Sequence, residues 1–478
     1  MPPHPRSPLV QQTAPARQGL TLAVVLLAVF VVPTSISGTA VALPAIGADL
    51  HAGSASLQWV VNAFNLAFAC CTLVWGSLAD LIGRVRAFTT GAAIFTAASV
   101  ACAVTPNVYV LDAARAVAGI GGAAIFACGS ALISTAFDGA ARAKAFALFG
   151  TVAGIGVALG PTVSGPAVDG LGWRWIFGLH ALALALVLFC LPAVARTVEE
   201  PRDTGAPRLD LRGAAVFVLA MLALTYAIVQ GSQWGWTAAG TLGLLVVALV
   251  LLALFTAHSR RAEAPLLDLS AVRNKAFLAY CLVPVAASFG FVTQLTYLPT
   301  YLTTVAGDSP SSAGATMLLL TLPVLALPLA GAQLVQRGTP ATAVILASLG
   351  FLVIGDLALL LLGPDTSALA MAVPMLLTGA GMGLSAGLVD AQALALVDPA
   401  KAGMAAGFLN TLRLGSEAVA VAVFGSAVAG LAAGRQDGGT SPAAAYDSAF
   451  HTLLWAMAAV CAALALAVIT LARGERRA

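Results

Sequence analysis

The stretch 149–165 reads FGTVAGIGVALGPTVSG and is apolar apart from its hydroxyl side chains. Its Gly and Pro residues are Gly150, Gly154, Gly156, Gly160, Pro161 and Gly165. Glycines four apart share one helix face and let another backbone approach closely, whereas a proline removes a backbone donor and clashes with the preceding turn. Neighbouring helices in a membrane can satisfy the freed backbone groups. The stretch therefore predicts a bent membrane helix with a packing face, which fits either a rigid structural helix or a moving contact between bundles.

The composition of the whole chain supports a membrane protein. Of its 478 residues, 60% are hydrophobic and only 9% are charged, whereas soluble proteins carry about 25% charged residues. The formal net charge of +3 says little by itself. These proportions predict an all-α integral membrane protein.

Apolar segments of about 20 residues, the length that crosses a bilayer, recur fourteen times. They are 20–44, 57–78, 87–105, 108–134, 143–168, 174–195, 212–231, 237–257, 276–301, 312–334, 341–362, 367–395, 402–431 and 449–472. An even number of spans places both termini on the same side of the membrane.

The orientation follows from the positions of Lys and Arg, which favour cytoplasmic loops. If both termini are cytoplasmic, only Arg174 and Arg435 of the 23 Lys and Arg residues fall on the outer side. Arg115 and Arg413 lie inside spans, and the remaining nineteen are cytoplasmic. The sequence thus predicts a multi-pass protein of the cell membrane with cytoplasmic termini.

The longest charged loops divide the spans into groups of six, two and six. The predicted parts are a disordered tail at 1–18, a six-helix bundle at 19–195, a cytoplasmic linker at 196–211, a two-helix hairpin at 212–257, a second linker at 258–275, a six-helix bundle at 276–472 and a tail at 473–478. Two six-helix bundles plus an inserted hairpin indicate a transporter whose site lies between its halves.

The loop after the second span reads GSLADLIGRVR, with Gly76, Asp80, Gly83, Arg84 and Arg86 as its turn and charged residues. Its glycines allow a tight helix-to-helix junction. Asp80 can brace the N-terminus of a neighbouring helix, or it can pair with an arginine when this face closes. We interpret the loop as a gate.

This loop resembles the signature loop of the major facilitator superfamily. Residues 111–121, LDAARAVAGIG, resemble the arginine motif of its fourth helix, and residues 156–161, GVALGP, resemble the antiporter motif of its fifth helix. Fourteen spans together with QWV at 58–60, GWRWIF at 172–177 and NTLRLG at 410–415 resemble the drug:proton antiporter branch.

The resemblance implies a central cavity lined by spans 1, 4, 9 and 12, alternating access and a role for Arg115 in proton transfer. The sequence departs from the branch in span 1, where Ser35 and Ala40 stand in place of the usual Asp and Asn. The second-half counterpart of the loop, around 333–340, is degenerate. Proton coupling must therefore use other groups if it exists.

Charged residues inside spans are costly and usually functional. Asp390 lies near the cytoplasmic end of span 12 with no Lys or Arg within a turn in sequence, and it is our first candidate for the titrating group. Arg413 and Glu417 share a face of span 13, where mutual neutralisation is an equally good interpretation. Arg115 can pair with Asp112 one turn earlier, or it can simply brace helices.

Two further ionisable residues, His180 and Asp356, are weaker candidates, since a lone buried histidine is more often structural. The polar side chains that could contact a substrate are Ser35, Asn62, Asn65, Gln294, Tyr297 and Tyr301. The last five could equally form hydrogen bonds between helices.

The seven cysteines all fall within spans without metal-ligand spacing, so they are interpreted as packing residues and no metal is expected. No phosphate-binding loop, zinc helix or hydrolase triad is recognisable. We therefore expect neither an enzyme nor a cofactor, no ATP and no nucleic acid partner. The expected partners are a small-molecule substrate, protons and the lipid bilayer, with the chain acting as a monomer.

These observations favour a secondary active transporter that exports a hydrophobic drug, antibiotic or secondary metabolite in exchange for protons. Two alternatives remain. One is a facilitator or importer without proton coupling, and the other is a non-transporting membrane sensor on the same fold.

Overall fold

The structure is a computed structural model of the chain. It describes residues 15–52, 54–195, 210–262, 265–268, 274–308, 310–363, 366, 368–398, 401–437 and 439–473. Within the predicted tails and linkers, residues 1–14, 196–209, 263–264, 269–273 and 474–478 lie outside this described part. The first helix begins at Pro15, inside the tail predicted for residues 1–18.

Fourteen helices of the described part are long and apolar enough to cross a membrane. The N-terminal six are α1 Pro15–Leu50, α2 Ser54–Ile82, α3 Arg84–Val104, α4 Val108–Ala136, α5 Gly139–Leu171 and α6 Arg174–Ala195. The next two are α7 Leu211–Trp234 and α8 Ala239–Ser259.

The last six helices include four that are built from more than one segment. They are α9 (Lys275–Ala287 and Thr293–Thr304), α10 (Pro310–Thr316 and Leu318–Gln336), α11 (Ala341–Ala358, followed by the 3-10 turn Leu359–Leu361), α12 (Ala368–Ser385 and Leu388–Ala395), α13 Ala402–Asp437 and α14 Pro442–Arg473. The two segments of α9 are joined by a π-helical turn at Ser288–Val292, and α12 breaks at Gly387, whose φ is +73°. The sequence indicated neither irregularity.

The helices form the predicted groups of six, two and six. Helices α1 to α6 pack mainly on one another, as do α9 to α14, and α7 packs against α8. The two bundles meet along a seam where α2 packs on α13 and α5 packs on α10. The hairpin lies beside this seam, because α7 also contacts α2 and α13. This arrangement confirms the predicted all-α membrane fold with two six-helix bundles and an inserted hairpin.

Candidate functional site

Asp80 joins the two bundles at the end of α2. Its Oδ1 accepts a hydrogen bond from the Gly403 backbone N–H at 3.0 Å, and its Oδ2 accepts one from the Met404 N–H at 2.8 Å. The first amides of a helix have no intrahelical acceptor, so Asp80 caps α13 from the opposite bundle. Arg84 pairs with Asp80 at 3.3 Å and also donates to the hydroxyl of Thr135 in α4. The braced helix N-terminus and the arginine pair that the loop suggested thus occur together.

Glycines bring the backbones of α2 and α13 into direct contact beneath Asp80. A Cβ added to Gly76 would lie 3.1 Å from the Gly407 Cα, and one added to Gly407 would lie 2.8 Å from the Thr72 carbonyl oxygen. Gly83 has a φ of +97°, which favours glycine at the junction of α2 and α3. Arg86, the last charged residue of the predicted gate, is exposed.

The glycines of α5 divide between two neighbours. A Cβ on Gly150 would lie 3.0 Å from the Gly387 amide nitrogen at the break in α12, and a Cβ on Gly154 would lie 3.3 Å from Val324 of α10. These two glycines therefore face the opposite bundle. The first half of α5 therefore contacts the opposite bundle, as Asp80 does.

The next two glycines of α5 face α1 within the N-terminal bundle. A Cβ on Gly156 would lie 2.7 Å from the Phe30 carbonyl oxygen, and one on Gly160 would lie 3.1 Å from the Gly38 amide nitrogen. A Cβ on Gly165 would meet nothing within 4 Å. The helix continues through position 161, so Pro161 does not end it. The sequence predicted one packing face here, but the structure uses two.

Arg115 is buried inside the N-terminal bundle at 1% exposure. Its Nε donates to the Val60 carbonyl oxygen at 2.9 Å, and its Nη1 donates to the Ser35 Oγ at 2.8 Å. The guanidinium also lies 4.4 Å from the centre of the Phe64 ring. Ser35, which replaces the expected aspartate of span 1, is thus a direct partner of the arginine.

The predicted pair between Arg115 and Asp112 is absent from the ion pairs of the described residues. Asp112 is half-buried, and its buried Oδ1 has no hydrogen-bond partner. His180 is buried on α6 with an unpartnered Nδ1, and its ring packs against Phe177. The predicted local pair is therefore corrected: Arg115 is held by carbonyl and hydroxyl oxygens and by an aromatic face.

Arg413 pairs with Asp390 across two helices. Its Nη2 lies 2.8 Å from the Asp390 Oδ2, while its Nη1 donates to the Asn410 Oδ1 at 2.8 Å. Asp390 lies in the first turn of the second segment of α12, just after the break at Gly387. Glu417 is half-buried, and no ion pair of the described residues includes it. Asp390 has no Lys or Arg within one turn in sequence, yet it is the carboxylate that pairs with Arg413. No ion pair between Glu417 and Arg413 occurs among the described residues.

The six predicted substrate contacts have different environments. In α9, Gln294 is fully buried, the Tyr297 hydroxyl donates to the Val421 carbonyl oxygen at 2.8 Å, and the Tyr301 hydroxyl donates to Asp447 at 2.6 Å. These three therefore follow the alternative interpretation as contacts between helices. In α2, Asn62 is half-buried and Asn65 is exposed. Both stay predicted substrate contacts, while the Ser35 hydroxyl accepts a hydrogen bond from Arg115.

The family model described as "Major Facilitator Superfamily" matches residues 25–421 of the chain. The chain belongs to this superfamily. Relatives named for multidrug and puromycin resistance confirm the resemblance to its multidrug-exporter branch. Together with the fold, membership makes the chain a multi-pass membrane transporter.

Three comparisons describe the similarity. The multidrug resistance protein Stp of Mycobacterium tuberculosis is 36% identical over 392 residues, which cover 81% of this chain and 72% of Stp. The puromycin resistance protein pur8 of Streptomyces alboniger is 34% identical, with 90% of this chain and 86% of pur8 covered. The crystal structure of the human organic anion transporter MFSD10 shares the fold, with a TM-score of 0.62, 16% identity and coverage of 94% of this chain and 99% of that one.

The inserted hairpin of this superfamily member is tied to the seam by a short segment that the sequence did not single out. The Leu266 carbonyl oxygen accepts a hydrogen bond from the Ser77 hydroxyl at 2.7 Å, next to the gate glycine Gly76. Asp268 pairs with Lys401, which immediately precedes α13. The segment Pro265–Asp268 therefore crosses the seam between α2 and α13.

Asp210 fixes the start of the hairpin. Its Oδ1 accepts a hydrogen bond from the Gly213 N–H at 2.8 Å. The same oxygen lies 2.8 Å from the Nε2 of His258, which is in the last turn of α8. Burial alone would raise the pKa of Asp210, but these contacts outweigh burial, so its pKa lies below the usual value. The signal in the sequence was an N-cap residue directly before an apolar span.

Proposed function

We propose that the protein is a secondary active transporter that exports a hydrophobic small molecule, such as a drug, antibiotic or secondary metabolite, in exchange for protons. It works as a monomer in the cell membrane with both termini in the cytoplasm. Relatives named for multidrug and puromycin resistance support export, and the concentration of Lys and Arg on one side supports the orientation.

The seam closed by Asp80 carries the proposal of alternating access. Two hydrogen bonds from backbone N–H groups of α13 to the Asp80 carboxylate, together with several glycine contacts, join the bundles at the end predicted to be cytoplasmic. Such contacts involve few atoms and separate without unfolding either bundle. The structure then corresponds to the state closed toward the cytoplasm, and breaking the seam gives the state that accepts substrate from inside.

The charge cluster of Asp390, Arg413 and Glu417 supports the proposed proton coupling. Arg413 contacts Asp390 here, while Glu417 lies one turn further along α13 without an ion pair. A single guanidinium between two carboxylates can neutralise only one of them closely, so a proton is needed at the other when it is buried. Movement of α12 against α13 would change which carboxylate holds the proton.

Transport into inverted membrane vesicles tests the function. We expect uptake of one or more compounds from a chemically varied panel when the vesicle interior is acidic, and loss of this uptake when a protonophore removes the gradient. Uptake that is independent of the gradient would favour the facilitator, and uptake of nothing across the panel would favour the sensor. Vesicles with the Asp80→Ala variant at equal abundance are the matched control. This change removes the contact between the bundles but leaves the charge cluster of Asp390, Arg413 and Glu417 intact.

A further inference from the structure

The C-terminal bundle contains a buried carboxyl group that the proposed function has not used. Asp356 of α11 is 0% exposed. The Gln294 Nε2 lies 3.5 Å from its Oδ1, and the Cys461 Sγ lies 3.8 Å from its Oδ2. Both distances are long for hydrogen bonds to an ionised carboxylate.

No cation faces this carboxyl group among the described residues. From α9, Asp356 meets Gln294 and Gly290, and the only charged residue of that helix is Lys275 at its far end. From α14 it meets Cys461, and α12, which packs on the neighbouring Gly355 through Thr378, has no charged residue in its first segment. An ionised carboxylate buried without a cation or strong donors is strongly disfavoured, so the group must hold a proton here.

A buried hydrogen-bond acceptor without a partner lies beside Asp356 and independently supports a proton on this carboxyl group. The Gln294 Oε1 is buried and has no hydrogen-bond partner. A protonated carboxyl group is a donor, so its O–H can donate to the Gln294 Oε1 while the Gln294 Nε2 still donates to the other carboxyl oxygen after a small adjustment of the side chain. One proton on Asp356 therefore satisfies both groups, whereas an ionised Asp356 leaves the oxygen unsatisfied.

The π-helical turn of α9 connects this carboxyl group to the charge cluster. Gly290 of the turn lies against Asp356, where an added Cβ would be 3.2 Å from its Oδ2. Ser288 of the same turn is 2.8 Å from the Ser416 hydroxyl, which is adjacent to Glu417. A π turn can convert to α-helix by shifting one residue, and such turns are frequent at functional sites. A shift at this turn would alter the surroundings of Asp356 and of α13 together.

We propose that Asp356, with Gln294 as its partner, is a proton-binding site of the transport cycle. In the state closed toward the cytoplasm the proton is bound to a carboxyl oxygen of Asp356. When the π turn shifts and the cytoplasmic side opens, the O–H bond breaks, the proton passes to cytoplasmic water and the carboxylate is hydrated. The inference rests on the proposed proton exchange, and it adds a site away from the cluster of Asp390, Arg413 and Glu417.

Infrared spectroscopy of the purified full-length protein tests the protonation directly. The wild type should show the carbonyl stretch of a protonated carboxylic acid, and Asp356→Asn should lose one component of that band. Asp390→Asn should keep this component because Asp390 is ion-paired. Identical bands in the wild type and Asp356→Asn would overturn the inference. If Asp356→Asn does not fold, Gln294→Leu should shift the band, and an unshifted band would equally overturn it.

Vesicle transport then separates this inference from the proposed function. If both hold, wild-type export depends on the pH gradient, and export by Asp356→Asn depends on it clearly less. Full gradient dependence in folded Asp356→Asn would overturn Asp356 as a coupling site while leaving proton-driven export intact. Wild-type transport that ignores the gradient would overturn the coupling itself, and the infrared comparison would still decide whether Asp356 binds a proton.

Discussion

Replacing Asp80 with alanine should open the seam between the bundles. The change removes two hydrogen bonds that the backbone N–H groups of Gly403 and Met404 donate to the Asp80 carboxylate, at 3.0 and 2.8 Å. Hydrogen bonds to charged groups contribute about 1.5–3 kcal/mol each, so the closed state should lose about 3–6 kcal/mol relative to the open one. At about 1.4 kcal/mol per tenfold change, even the lower figure shifts the ratio of closed to open by about 100-fold.

The labelling rate of a buried thiol measures this opening. Met404 is 5% exposed and packs with Leu73 of α2, so a Met404→Cys thiol is shielded while the seam is closed. A membrane-impermeant maleimide applied from the cytoplasmic side should label it up to about 100-fold faster when Asp80→Ala is added, in line with the shift above. Export should fall in the same variant.

The matched control is Asp138→Ala. Asp138 also pairs with an arginine four residues along, Arg142 at 2.7 Å, but its side chain is 93% exposed and makes no contact with the other bundle in the described structure. Exposed pairs of this kind contribute about 0–1 kcal/mol, so labelling should stay near the parent rate. Equal labelling rates for the parent and Asp80→Ala, at equal abundance in the membrane, would refute the assignment of Asp80 as the closing contact.

Three further outcomes follow from contacts at other places. Gly160→Ala should lower the melting temperature because the added Cβ would contact α1. Gly165→Ala should leave the melting temperature unchanged, since its Cβ would meet nothing within 4 Å. Equal melting temperatures of the two variants would show that α1 and α5 can shift apart without loss of stability. Asp390→Asn should cost up to about 3 kcal/mol by leaving the half-buried Arg413 without its ion-pair partner, and Glu417→Gln should cost much less, so that comparable losses in thermal unfolding would contradict the observed pairing. Asp210→Asn should be less stable than the wild type near neutral pH, because a carboxylate with a lowered pKa stabilises the fold only while it is ionised. The two melting temperatures should converge as pH falls below about 4. A difference in melting temperature that stays constant at all pH values would show that the charge of Asp210 is not the cause.

The fold was predictable because a bilayer imposes length and polarity on each span independently of the others. Residues 174–195 were predicted as a span, and α6 is Arg174–Ala195. The interruptions were not predictable in the same way. The π turn at Ser288–Val292 and the break at Gly387 depend on which neighbours the backbone meets, and neither carries a change in hydropathy.

The charge pairs also could not be predicted from sequence, because they too depend on neighbouring helices. Glu417 is one turn from Arg413 in sequence, and this spacing made a pair within α13 one of two equal interpretations, yet Arg413 pairs with Asp390 on α12. A sequence shows neighbours along a helix, whereas partners across helices depend on rotation and depth that periodicity does not fix. The glycines Gly403 and Gly407 did carry a signal, because they are four apart and form the face that meets α2.

Each bundle buries one ionisable side chain that forms no ion pair among the described residues, Arg115 in the first and Asp356 in the second, and their surroundings indicate where proton coupling can lie. In the N-terminal bundle, Arg115 has no carboxylate partner among the described residues, but oxygens of Ser35 and Val60 and the face of Phe64 surround its guanidinium. Because an arginine cannot give up its proton in a protein, this environment has to stabilise one charge state only, and a serine in place of the usual aspartate can do so. In the C-terminal bundle, Asp356 can exist in two charge states, and its surroundings favour the neutral one. The absence of a carboxylate in span 1 therefore leaves the burial of Arg115 intact, and the C-terminal bundle, which holds Asp356 beside its π turn, is the half where we expect protonation to change during transport.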